Sequence, residues 1–149
     1  MLGNKENFQK AFRGFERINR FFDKKHNVVS ARILPGEYYV SNNNEMITTV
    51  LGSCISACVY DIKNKIGGMN HFMLPHFEGE VTSFGNCVSA ETRYGNYAME
   101  HMINDILKHG GLKKNFEVKI FGGARIISKI TDVGQVNIDF ILDYLSAAT

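Results

Sequence analysis

Two short stretches carry residue types and spacings suited to acyl-transfer chemistry: Thr48-Thr49-Val50-Leu51-Gly52-Ser53-Cys54 and Gly67-Gly68-Met69-Asn70-His71. A thiol is an effective nucleophile as thiolate, or with a base to take its proton. Histidine is the side chain best matched to that task near neutral pH. Gly52-Ser53 lets the backbone turn sharply just before Cys54 and come close to a substrate. Lys63-Asn64-Lys65 lies about midway between Cys54 and His71, so a strand–turn–strand hairpin would bring the two near each other. A third polar group must orient the imidazole, and Thr48, Thr49 and Asn70 are the nearby candidates.

Spacing alone leaves other arrangements open. Cys58 also falls on a strand, and His76, His101 and His109 are alternative bases. A free cysteine is ordinarily a small buried hydrophobe, and a strand histidine is ordinarily a hydrogen-bonded, half-buried residue. His101 and His109 read as surface residues on or at the end of a helix, and Cys87 reads as part of a polar loop. The three cysteines cannot all pair, form no C-x-x-C, and have no histidine at ligand spacing, so a disulfide framework and a structural zinc are both poor fits. No cofactor is expected. Gly67-Gly68 and Gly122-Gly123 lack the spacing and the following Lys-Ser or Lys-Thr of phosphate-binding loops.

The elements that must position these residues follow from periodicity. The chain has 149 residues, 44% of them hydrophobic and 21% charged, a composition that folds as one domain. Phe8, Phe12, Phe15, Ile18, Phe21 and Phe22 recur at spacings of three and four, which predicts a basic amphipathic helix over 6–25. Such a helix suits packing on the domain, a partner, or a membrane surface. Short strands are expected at 37–40, 46–51, 55–61, 66–75 and 116–121, with a loop over 76–91. A helix is expected at about 92–108, closed by Gly110-Gly111, and a last helix is capped by Asn137. The order gives an α+β fold: a mixed, largely antiparallel sheet or sandwich core with flanking helices and an N-terminal helix.

The net charge of +2 is uneven. Residues 1–26 are basic, whereas the remainder is slightly acidic and offers no stripe for nucleic acid. No apolar run is long enough to span a bilayer and no signal peptide is evident, so a cytoplasmic protein is the expectation.

Four blocks in order resemble the CheD family, the chemoreceptor glutamine deamidases of bacterial and archaeal chemotaxis. They are Thr48-x-x-Leu51-Gly52-Ser53-Cys54, Gly67-Gly68-x-x-His71-x-x-Leu74-Pro75, Arg93-Tyr94-Gly95-x-x-Ala98-Met99 and Phe121-Gly122-Gly123-Ala124. Gly134-x-x-Asn137 is similar to the family's next block. The resemblance implies a catalytic set of Cys54 as nucleophile, His71 as base and Thr48 as third member, with Thr49 fitting less well by spacing. It implies conversion of receptor glutamine to glutamate with release of ammonia. The implied substrates are methyl-accepting chemotaxis receptors, met at their cytoplasmic helical region, and the phosphatase CheC is an implied partner. The family pattern places a deamidase domain over 28–149, shortened at its C-terminus, after a helical extension over 1–27. A cysteine amidase or peptidase of other specificity, and a non-catalytic chemotaxis binding module, are the rival readings.

Overall fold

The computed structural model describes residues 8–74, 90–124 and 133–148. The expectations for His76, for Cys87 and for the loop around them lie outside these residues. The α+β expectation holds, with seven strands in two sheets and two α-helices among the described residues.

The expected N-terminal helix is absent among the described residues. Residues 8–18 run as turns and bends, and Asn19–Asp23 forms strand β1. Gly14 sits at φ +101°, a conformation that interrupts a right-handed helix. The aromatic spacing has another outlet. Phe15 is buried edge-on against Tyr38 and Tyr39, at 5.3 and 5.4 Å between ring centres. Phe12 stacks on His109 at 3.8 Å, so that histidine is half-buried rather than a free surface residue. The three-and-four periodicity therefore reports an irregular strap packed on the domain, and the idea of a basic membrane-surface helix loses its basis.

β1 forms an antiparallel hairpin with β2 (Val28–Arg32). Asp23 closes the turn by accepting from the N–H groups of Lys25 and His26 at 2.9 and 3.1 Å, and Asn27 takes the left-handed position at φ 52°. β2 then pairs in parallel with β4 (Glu45–Thr48), completing a three-stranded sheet. A buried cluster locks it: Arg20 meets Glu45 at 2.7 Å, and Tyr39 and Ser41 donate their hydroxyls to the same carboxylate at 2.7 and 2.5 Å.

The second sheet has the order β3-β6-β5-β7 and is antiparallel throughout. Its strands are β3 (Tyr38–Ser41), β5 (Ile55–Asp61), β6 (Ile66–Asn70) and β7 (Phe116–Gly122). Asp61 organises the β5–β6 turn. Burial alone would raise its carboxyl, but donors from Asn64, Leu112 and Lys63 outweigh that and hold it well below the usual carboxylate range.

Helix α1 (Ala90–Lys108) packs on one face of this sheet through Met99, Met102 and Ile106, all fully buried. Each such side chain contributes roughly 2 kcal/mol of burial. Gly68 makes the approach possible: a β-carbon there would stand 3.1 Å from the Met102 side chain and 2.9 Å from the Tyr39 carbonyl. Of the two readings that the paired glycines invite, close approach and bulge, the structure has the first, since the β5–β6 register runs on unbroken from Cys58–Met69 to Asp61–Ile66. Helix α2 (Val133–Ala148) packs against β5 and α1. Asn137 lies inside α2 and is fully buried, so it is not the helix cap that its residue type suggests. No helix among the described residues is long and apolar enough to cross a membrane.

Candidate active site

Strand β5 begins immediately after the turn Gly52-Ser53-Cys54, whose three successive carbonyls are all tied back to the scaffold. The Gly52 carbonyl accepts from Ala124 N–H at 2.9 Å, that of Ser53 from the Asn137 amide at 2.9 Å, and that of Cys54 from Gly123 N–H at 2.9 Å. Gly122, at φ +103°, is required for this, because any β-carbon there would overlap the Cys54 carbonyl. The Phe121-Gly122-Gly123-Ala124 block is thus the back wall of the Cys54 turn.

The opposite chain is fixed as firmly. His71 donates its backbone N–H to the Glu37 carbonyl at 3.0 Å and accepts from Gly36 N–H at 2.7 Å. Ile55 and Phe72 exchange both main-chain hydrogen bonds, each at 2.9 Å, in the same register as the rest of the β5–β6 pair. Alternation then puts Cys54, Ser56, His71 and Met73 on one face, opposite the face that carries Ile55, Ala57 and Phe72. Cys54 and His71 are diagonal neighbours across the Ile55–Phe72 bridge. The hairpin expected from the sequence brings them to the same side.

The resemblance implies Thr48 beside the imidazole, and the structure puts Thr49 there, with its Oγ1 2.7 Å from His71 Nδ1. Thr48 ends β4 and gives its carbonyl to Ile33 N–H at 2.9 Å, while Thr49 follows on the other side of the chain. Consecutive residues on an extended chain point opposite ways, so only one of the two threonines faces His71. Asn70, the remaining candidate, is turned toward the helix side, where its side chain accepts from Ala57 N–H at 2.8 Å and lies 3.3 Å from Met99 Sδ.

The hydrogen-bond pattern also assigns the imidazole tautomer. A threonine hydroxyl has one proton to give. Thr49 Oγ1 donates it to the Ile33 carbonyl at 2.8 Å, so it meets His71 as an acceptor and Nδ1 carries the ring proton. Nε2 is left as the basic nitrogen, and it is buried with no hydrogen-bond partner among the described residues. No sequence pattern marks Ile33, because the group that matters is its carbonyl.

Burial pushes both groups toward their neutral forms. Burial lowers the His71 imidazole below its ordinary value. Burial also raises the Cys54 thiol, partly offset by its own backbone N–H. Both shifts disfavour a standing thiolate–imidazolium pair. Cys58, on the same face, is likewise pushed up by burial. His101 is exposed and packs against Tyr97 at 3.9 Å. Among the described residues no group of three His, Cys, Asp or Glu side chains converges to hold a metal.

Comparison with known proteins gives this geometry a setting. The family model described as CheD chemotactic sensory transduction matches residues 73–149, just over half the chain. The chain belongs to the CheD family. It is 53% identical over 133 residues to a protein of Halorhodospira halophila named "Probable chemoreceptor glutamine deamidase CheD". It is 53% identical over 131 residues to the protein of that name from Hahella chejuensis, and 44% identical over 139 residues to that of Saccharophagus degradans. These alignments cover 89%, 88% and 91% of this chain and 62%, 61% and 64% of the CheD relatives. The chain therefore spans about three-fifths of the length of these relatives.

Proposed function

We propose that the chain is a chemoreceptor glutamine deamidase that works through Cys54, His71 and Thr49. The observation that carries this reading is the Thr49 hydroxyl committed to the Ile33 carbonyl, which leaves His71 Nε2 as a free base on the face of Cys54. In the first step Nε2 takes the thiol proton and Sγ attacks the amide carbon of a glutamine side chain. In this reading the backbone N–H groups of the Gly52-Ser53-Cys54 turn stabilise the oxyanion. The C–N bond breaks as Nε2–H protonates the departing nitrogen, giving ammonia and a thioester. Water then attacks the thioester, His71 takes its proton, and the C–S bond breaks to release glutamate and the thiol.

A hydroxyl orients imidazole without neutralising a positive charge, unlike the carboxylate of a Cys-His-Asp site. That matches a pair that is neutral at rest and transfers its proton during attack. The substrates in this reading are methyl-accepting receptors, approached at their cytoplasmic helical region, which puts the chain in the cytoplasm. A phosphatase partner of the CheC kind belongs to the same reading. The test is deamidation of a purified receptor cytoplasmic fragment, followed by peptide mass spectrometry. Conversion of specific glutamines by the wild-type chain and none by Cys54→Ala is expected. Equal conversion by both would overturn it.

A further inference from the structure

Asn137 stands between the two chains that carry the nucleophile and the base. Its side-chain amide donates from Nδ2 to the Ser53 carbonyl at 2.9 Å and accepts at Oδ1 from Leu74 N–H at 3.1 Å. Ser53 immediately precedes Cys54, and Leu74 lies three residues past His71. Extending the register of Ile55–Phe72 by two residues on each chain makes Ser53 and Leu74 cross-strand partners. In a regular antiparallel ladder the next hydrogen-bonded pair after Ile55–Phe72 would therefore be this one, with Leu74 N–H bonded to the Ser53 carbonyl. The Asn137 amide occupies that rung. It satisfies both groups while keeping the two chains apart by the width of one amide, beside Cys54.

The wedge is built in rather than incidental. Asn137 is fully buried, on a helix whose first turn packs closely on the back wall of the site. A β-carbon on Gly134 would stand 2.5 Å from the Gly123 carbonyl and 2.7 Å from that of Ala124. Those are the residues whose N–H groups hold the Cys54 and Gly52 carbonyls. α2 thus grips the Cys54 turn from behind with its backbone and from the side with one amide.

We propose that Asn137 is a positioning residue for the Cys54–His71 pair, an amide wedge that replaces a main-chain rung and sets the separation of the two chains. This rests on the catalytic reading above. Two measurements on the full chain test it, with Ile141→Ala as the comparison, since Ile141 is buried in the same helix and makes no part of the site. The first is deamidation kinetics. Asn137→Ala is expected to lose roughly 10- to 100-fold in kcat with KM changed little, because a small misplacement of reacting groups acts on the chemical step. The second is the pH profile of Cys54 alkylation by iodoacetamide, which needs no substrate turnover. Asn137→Ala is expected to shift that profile toward that of His71→Ala, whereas Ile141→Ala keeps the wild-type profile. Asn137→Asp retains the acceptor for Leu74 but cannot donate to Ser53, and it serves if the alanine variant does not fold. A wild-type alkylation profile in the Asn137 variants, or a kcat loss no larger than that of Ile141→Ala, would overturn the inference. If the wild-type chain leaves receptor glutamines unchanged, the deamidase reading fails instead, and the alkylation profiles still decide the role of Asn137.

Discussion

Thr49 and His71 directly follow strands of different sheets, 22 residues apart, and meet at 2.7 Å between Oγ1 and Nδ1. The direction of this hydrogen bond is set by a third group, the Ile33 carbonyl, which takes the only proton the hydroxyl has to give. A main-chain oxygen just past β2 thereby decides which nitrogen of the imidazole just past β6 is left without a proton.

The two threonines should separate cleanly. Thr49→Val removes the acceptor for Nδ1–H and leaves the Ile33 carbonyl without its donor. Its deamidation rate should fall by about 100-fold or more, the range of a general base lost or misdirected. Thr49→Ser keeps the hydroxyl and should restore most of the rate, while Thr48→Val should stay within a few-fold of wild type. Comparison of kcat/KM across the three variants checks this, and a larger loss in Thr48→Val than in Thr49→Val would contradict it.

The tautomer itself is observable. In nitrogen-15 spectra of the resting protein at neutral pH, His71 should appear as the Nδ1–H form, with Nε2 carrying the lone pair. The Thr49→Val variant should lose that preference. A resting Nε2–H form in the wild type would remove the basis for proton transfer from Cys54.

The pH dependence follows from the sign of the His71 shift. Only neutral imidazole accepts the thiol proton, so the rate falls as pH drops through the His71 pKa. Burial lowers that value from its ordinary 6.5, so the acid limb of kcat/KM should have its midpoint below 6.5. A standing ion pair with a Cys54 thiolate would do the opposite and raise the histidine. An acid limb centred above 6.5 would therefore argue for the ion pair and against a neutral resting site.

The buried pair of Arg20 and Glu45 tests the N-terminal strand. Arg20 comes from β1 and Glu45 from β4, and the Glu45 side chain is 1% exposed. Arg20→Met would leave that carboxylate with two hydroxyl donors and no cation. Breaking such a pair costs about 3 kcal/mol, which urea unfolding would read as a lower midpoint. An unchanged midpoint would mean that residues 19–23 do not hold the first sheet together.

Much of the site was legible because it follows short-range rules. The Ile55–Asp61 strand and the turn near Asn64 come from alternation and hairpin geometry, which a sequence displays directly. The fold class and helix α1 were legible for the same reason, although α1 begins at Ala90 rather than 92. Three things were not. Thr48 and Thr49 differ only in which side of an extended chain they occupy, and a single-residue offset is fixed by the neighbouring strands rather than by spacing. The Phe spacing over 8–22 fits a helix, yet a left-handed Gly14 and the Arg20–Glu45 contact make it a strap and a strand. Asn137 looks like a cap from its residue type, and its bonds to Ser53 and Leu74 span 84 and 63 residues, beyond any local pattern.

The central claim is that Cys54 attacks a receptor glutamine after giving its proton to His71. The most direct measurement is peptide mass spectrometry of a receptor cytoplasmic fragment incubated with the wild-type chain, Cys54→Ala and His71→Ala. The account predicts amide-to-acid conversion at defined glutamines with the wild type, and none above background with either variant. Conversion that persists in Cys54→Ala, or wild-type protein that leaves every glutamine intact, would contradict it.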